Sequence, residues 1–338
     1  MEKRQPGIDL VRSVAFLFVV GVHFNLYNGF YYALHEGPAM VAAESFRWLF
    51  FSCNGLYMTL TGYLISTKPW SRRYYKSLIP VLLTYVLTSA VSIPVRAFCF
   101  REAFTFWEWA EKFMSFAADY YGWYIKMYVG LLLISPILNR AMEGMEKRGL
   151  LAMLGTMLFL TALPSATTLT FAPNYWVSLY PLTFYVLGAV IRRLQPRPKP
   201  IFCLLMAVLT AFALGLINYF CCLGEKYENR IGQDYGGFWI TLIVAAVFLG
   251  LYRLQPGPKA QKLLRFLASG SLGGYLMSHL LEAWVYKTFS FSHTPALYPI
   301  AFLTLTVPIF FLSAVLGNLI RVLVNRMTAR LFPAHARS

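Results

Sequence analysis

Residues 7–24 read GIDLVRSVAFLFVVGVHF. A run this long and this apolar enters a membrane as a helix, yet it carries three ionisable side chains, Asp9, Arg12 and His23. At about 100° per residue, the step from Arg12 to His23 ends within about 20° of a whole number of turns, so both leave one face. The helical rise sets them roughly 16 Å apart in depth. Ionisable groups inside a bilayer are costly, so a cation near one surface and an imidazole three turns deeper require a common explanation.

Composition agrees with a membrane chain. Of the 338 residues 58% are hydrophobic, 17% aromatic and only 13% charged, and mean hydropathy is +0.55. These values lie outside the range of soluble domains and predict an all-α, polytopic integral membrane protein. Five cysteines, Cys53, Cys99, Cys203, Cys221 and Cys222, form neither a disulfide framework nor a zinc spacing, and no metal is expected. Lys3 and Arg4 precede the first apolar run as in a secretory signal, but Asp9 and Arg12 interrupt it and no small-residue cleavage site follows, so a retained first helix is expected.

Apolar stretches long enough to span occur at 8–28, 46–66, 78–97, 121–139, 149–164, 175–193, 201–223, 236–253, 267–287 and 297–322. The fifth is cut short by Pro164 and the Ser/Thr-rich tract 165–170. About ten transmembrane helices follow, in a single domain over 1–338 with a short basic tail at about 323–338. The formal charge of +16 tests this count. Most lysines and arginines fall in alternate connections, among them Lys68/Arg72/Arg73/Lys76, Arg192/Arg193/Arg197/Lys199 and Arg321/Arg326/Arg330/Arg337. By the positive-inside rule both termini are then cytoplasmic, and the basic charge reports topology rather than nucleic-acid binding. The outer connections 29–45, 98–120 and 224–235 are the long ones, rich in aromatics and carboxylates. Within them FTFWEWAEKFMSFA, 104–117, suits a helix lying along the interface.

There is no phosphate-cradling glycine loop, no HExxH helix and no Gly-x-Ser-x-Gly elbow. Histidines and their neighbours remain. His23 reads either as a core histidine bonded to a neighbouring helix or as a general base, since a neutral imidazole near its ordinary pKa of about 6.5 accepts a hydroxyl proton. Arg12 is either an interfacial anchor or a planar fork for phosphate. Asp9, one turn before it, either pairs with Arg12 or caps the helix start. His279 lies in SLGGYLMSHLLE, 271–282, with Glu282 about one turn on; this pair either packs or orients a catalytic group. His35 and His293 in outer loops and His335 in the tail are expected to be solvated.

The opening segment resembles that of the multi-pass acyltransferase 3 family, whose hallmark is an arginine, ten intervening residues and a histidine. Four further segments match in the family's order. FFSCNGLYMTLTGYLIS at 50–66 resembles its second-helix signature, and SRRYYKSLIPVLL at 71–83 its basic segment entering a proline-containing helix. YYGWYIKMYVGLLLISPILN at 120–139 is similar to its tryptophan-aromatic segment closing in Ser-Pro, and SLGGYLMSHLLE to its late tyrosine-leucine-histidine segment. Two departures stand out: Thr61 precedes Gly62 where serine is usual, and Ser278 is inserted before His279.

The resemblance implies transfer of an acyl group, usually acetyl, from cytoplasmic acyl-CoA to a hydroxyl of an extracytoplasmic glycan or lipid-linked sugar, in a bacterial plasma membrane. On that reading Arg12, with Arg72 or Arg73, takes the CoA phosphates. The pantetheine arm, on the order of 15–20 Å, reaches the depth of His23, given the helix rise. His23 is the general base, Asn25, Trp123 and Tyr124 line the acceptor site, and Asp9, His279 and Glu282 support. A transporter or flippase for a lipid-linked sugar is the rival reading, because buried polar groups and an aromatic vestibule serve it equally. A structural partner in a polysaccharide assembly gives no reason for the aligned arginine and histidine.

Overall fold

A computed structural model of the chain describes residues 4–166, 172–232 and 234–332. It is all-helical, with 77% of residues in helix. In chain order the α-helices are α1 Pro6–Tyr27, α2 Gly37–Phe50, α3 Cys53–Ile65, α4 Arg72–Lys76, α5 Ile79–Pro94, α6 Phe106–Met114 and α7 Gly122–Met142. They continue as α8 Lys147–Thr161, α9 Asn174–Val177, α10 Tyr180–Leu194, α11 Pro200–Cys221, α12 Phe238–Leu251, α13 Pro258–Val285 and α14 Tyr298–Leu331. Among the described residues there are no strands, only two isolated bridges, Leu34 to Lys226 and His35 to Leu223, which tie the loop after α1 to the loop after α11.

Five helical segments are long and apolar enough to cross a membrane: Pro6–Tyr27, Arg72–Cys99, Gly122–Met142, Pro200–Cys221 and Pro295–Leu331. The other expected spans fall on helices of a different kind. With 13, 15, 15 and 14 residues, α3, α8, α10 and α12 are shorter than the roughly 20 residues of a typical crossing. The 28 residues of α13 suffice in length, but glycines, serines, His279, Glu282 and a basic first half dilute its apolar character.

Several boundaries differ from the sequence reading. The stretch 46–66 is not one helix: α2 ends at Phe50 and α3 starts at Cys53, and the Ser52 hydroxyl donates to the Leu49 carbonyl at 2.6 Å, a local bond that competes with helix continuation. Half of loop 29–45 is helical, since α2 begins at Gly37 with Pro38 in its first turn. Over 104–117 the expected amphipathic helix is α6, closed by a Thr105/Glu108 capping box and burying no residue. At the far end α14 runs on to Leu331, so most of the expected tail is helix. Lys3, residues 167–170 of the Ser/Thr tract, and His335 and Arg337 lie outside the described residues.

The core forms around α1, where Val11, Ala15, Phe16, Val20 and Phe24 are sealed from solvent. It packs against α13, α3, α2, α14 and α12. Small residues permit the closest crossings. A Cβ on Gly317 of α14 would stand 2.1 Å from the Gly270 carbonyl oxygen of α13, and one on Gly188 of α10 would stand 1.9 Å from the Thr59 carbonyl oxygen of α3. Pro136 inside α7 cannot donate to the Leu132 carbonyl; the Tyr74 hydroxyl donates there instead, at 2.9 Å. Away from the core, α11 exposes Phe202, Leu205, Leu209 and Phe212 and α14 exposes Leu303, Val307, Phe311 and Val315. These outward apolar stripes suit lipid, where no hydrophobic cost attaches to them.

Candidate active site

Along α1, Arg12, Val19 and His23 share one face, and two cavities follow that face. The first, about 220 Å³, is lined by Arg12 and Val19 of α1, Asn54, Tyr57, Thr61 and Leu64 of α3, Tyr124 and Tyr128 of α7, and Ser271, Leu272 and Tyr275 of α13. Each helix contributes a stripe at helical spacing. Val19 is one turn below His23, so the cavity ends roughly 6 Å in depth short of the imidazole. Inside it the Tyr57 hydroxyl, beside Ser271, joins Arg12, Asn54 and Thr61 as the polar part of a largely apolar and aromatic lining.

The second cavity, about 310 Å³, is lined by Arg4, Gln5, Asp9, Arg12, Tyr63, Arg192, Ser269 and Arg321 among others. Arg12, Leu64 and Ser269 belong to both, so Arg12 stands at the junction. Four arginines face one carboxylate, and Asp9 is already taken: Arg4 donates to it from Nε at 2.7 Å and from Nη2 at 2.8 Å. Asp9 therefore pairs with Arg4 and not with Arg12, which makes no ion pair among the described residues. The surplus positive charge at this mouth suits an anion.

Beyond the inner end of the first cavity lies His23. Its Nδ1 is 3.0 Å from Oε2 of Glu282, close but out of line for a straight hydrogen bond. Glu282 is wholly buried, whereas the imidazole keeps 16% of its surface open. The Tyr121 hydroxyl donates to the same Oε2, and its ring stacks on His23 at 4.2 Å and 20°. On its other side Tyr121 stacks on Tyr275 at 5.3 Å and 15°. Tyr275, which lines the cavity, and Tyr121 stacked on it thus lead from the cavity's end to the imidazole.

Helix geometry explains these positions. Tyr121, Tyr124 and Tyr128 occupy i, i+3 and i+7 around the start of α7, and Tyr275 and Glu282 occupy i and i+7 on α13, so each set shares a face. Sequence reading missed Tyr121 and Tyr275, although the tyrosine spacing in YYGWYIKMY carried the signal. It also missed Arg192 and Arg321, which reach the mouth from α10 and α14. Glu282 was placed with His279; it turns to His23 instead. His279 is buried, with its ring 4.5 Å from Tyr120 and 5.3 Å from Tyr121, and its Nδ1 has no partner among the described residues.

Other expected site residues stand elsewhere. Arg72 and Arg73 are exposed on α4 and line neither cavity. Asn25 is buried and spent on packing, donating to the Ala43 carbonyl at 3.2 Å and accepting from the Tyr298 hydroxyl at 2.8 Å. Trp123 is 38% exposed beside Tyr235, while Tyr124 lies on the inner cavity rather than with it. His35 is not solvated: it is fully buried, 2.9 Å from Glu44 and 3.1 Å from the Glu225 carbonyl. His293 is exposed as expected.

The outer rim near His279 holds a buried cation. Arg96, in a π-helical turn after Pro94, donates from Nη1 to the Ala117 and Ala118 carbonyls at 2.9 and 2.7 Å and from Nη2 to Glu102 at 2.7 Å. Tyr120 also donates to Glu102, at 2.7 Å. Burial alone would raise the Glu102 pKa, but the hydrogen bonds from Arg96 and Tyr120 outweigh it and hold the carboxyl below its ordinary value.

No curated protein and no solved structure matches the chain. A sequence profile described as an acyltransferase domain matches residues 5–318, nearly its whole length. A match over nearly the whole chain places the protein in the acyltransferase 3 family of membrane acyltransferases.

Proposed function

We propose that the protein transfers an acyl group, usually acetyl, from acyl-CoA at the cytoplasmic side to a hydroxyl of an extracytoplasmic glycan or lipid-linked sugar. The observation that carries this reading is the continuity of the two cavities through Arg12 toward His23. An anionic head fits the mouth lined by Arg4, Arg12, Arg192 and Arg321. A slender arm fits the tunnel beyond, where Asn54, Tyr57, Thr61 and Ser271 offer polar groups to an amide. The positive-inside pattern supports the same direction, with about ten membrane-associated helices, both termini inside and the mouth in the cytoplasm of a bacterial cell.

In this mechanism the Glu282 carboxylate, 3.0 Å from His23 Nδ1, comes into line as substrate binds and accepts from Nδ1–H, which fixes the tautomer and leaves the Nε2 lone pair free. Nε2 takes the proton of the acceptor hydroxyl as its oxygen attacks the thioester carbonyl carbon. The carbon–sulfur bond then breaks, an ester forms, and the imidazolium returns its proton to the departing thiolate, giving free CoA. Buried Glu282 stabilises the imidazolium while it exists.

The test is incubation of purified protein with label on the acetyl group of acetyl-CoA and a cell-envelope acceptor fraction. Labelled ester and free thiol in equal amounts are expected from wild type and neither from His23→Ala. Movement of unmodified lipid-linked sugar across liposomes, with no label transferred from any acyl donor, would establish the transporter instead.

A further inference from the structure

The tunnel and the imidazole are not in open contact. Tyr121 lies between them, its ring parallel to Tyr275 on the tunnel side and to His23 on the other. It is held at both ends. Its N–H donates to Asp119 at 2.8 Å, its carbonyl accepts from the Tyr275 hydroxyl at 3.1 Å, and its own hydroxyl donates to Glu282 with the Tyr27 hydroxyl 3.4 Å away. Only 5% of Tyr121 is exposed.

Resting on the acyl-CoA reading, we infer that Tyr121 is the gate and length gauge of the donor site, a specificity-determining residue that restricts the enzyme to short acyl groups. The acyl carbons of a bound donor reach the Tyr121 ring once they pass Val19, Tyr124 and Tyr275, which line the tunnel in front of it. An acetyl group displaces the ring little. A longer chain pushes it off His23 and breaks the hydroxyl's bond to Glu282, so it both binds poorly and disrupts the carboxylate that aligns the base. Selection for a small group is then a property of binding as well as of turnover.

That coupling permits a test that needs no catalysis. Non-reactive thioethers of CoA, S-ethyl and S-hexyl, are competed against labelled CoA on the purified full-length protein. Wild type favours the ethyl compound. Tyr121→Ala and Tyr121→Leu open the chamber and shift the hexyl-to-ethyl affinity ratio by about tenfold toward hexyl, the gain of roughly two newly buried methylenes. Tyr121→Phe keeps the ring but loses the bond to Glu282, so its ratio moves toward hexyl by less than in Tyr121→Ala. If Tyr121→Ala and Tyr121→Leu bind CoA but leave the ratio unmoved, the gauge is overturned and the acyl-CoA reading stands. If wild type binds neither CoA nor either thioether, the acyl-CoA reading fails and the gauge fails with it.

Discussion

The pairing of His23 with Glu282 makes a demanding prediction for Glu282→Gln. The substitution preserves the size of a wholly buried side chain and an acceptor for the Tyr121 hydroxyl, so the fold and the stacked ring are kept, but it removes the negative charge 3.0 Å from Nδ1. At an effective dielectric of about 20, an imidazolium and a carboxylate at that separation attract by about 5 kcal/mol. That figure is a ceiling, corresponding to about 10,000-fold in rate. General-base catalysis by a positioned imidazole contributes about 100- to 10,000-fold. The expected result is therefore a fall in kcat of about 100- to 10,000-fold. Glu282 lines neither cavity, so KM for acyl-CoA stays at its wild-type value. The assay is release of free thiol from acetyl-CoA in the presence of acceptor, at saturating and sub-saturating donor, on protein whose melting profile matches wild type. A wild-type kcat in Glu282→Gln refutes the pairing as catalytic. A raised KM with unchanged kcat refutes it equally, because it would place Glu282 in donor binding.

Arg12→Ala removes the cation at the junction of both cavities; KM for acyl-CoA should rise about 10- to 100-fold, the worth of one charge-assisted hydrogen bond, and steady-state kinetics will show whether Arg72→Ala leaves it unchanged. Gly188→Ala drives a methyl into the Thr59 carbonyl at 1.9 Å and should cost about 1–3 kcal/mol as overpacking, read as a lower melting temperature in detergent. Arg96→Ala should loosen the outer segment 98–120, seen as faster amide exchange there. The Glu102 pKa is depressed on folding, so its contribution to stability is full above the ordinary value of 4.5 and is lost as pH falls below it. Exchange in 98–120 should therefore quicken in acid in wild type, and less so in Arg96→Ala, where the Arg96 share of the depression is gone and that from Tyr120 is left.

The sequence alone determined that this is a helical membrane chain, because composition and run length are enough to decide how a segment meets a bilayer. It also determined that Arg12 and His23 share a face, because their relation is local, set by one helix's pitch. Other relations join separate helices, and periodicity within one helix is silent about them. The carboxylate one turn from His279 belongs to His23, and whether α13 presents it there depends on how glycines 270, 273 and 317 set α13 against α14. The break at Ser52 was hidden because the flanking residues are apolar on both sides. The arginine-lined mouth was half legible: Arg12 lines both cavities, but Arg72 and Arg73, nearest in a basic run, line neither, while Arg192 and Arg321 arrive from distant helices. Tertiary structure alone decided that the tunnel stops short of the imidazole, with the Tyr121 ring stacked on His23. The rise of α1 fixes how far apart Arg12 and His23 stand, but what fills the space between them is supplied by α7 and α13, and no spacing along α1 records it.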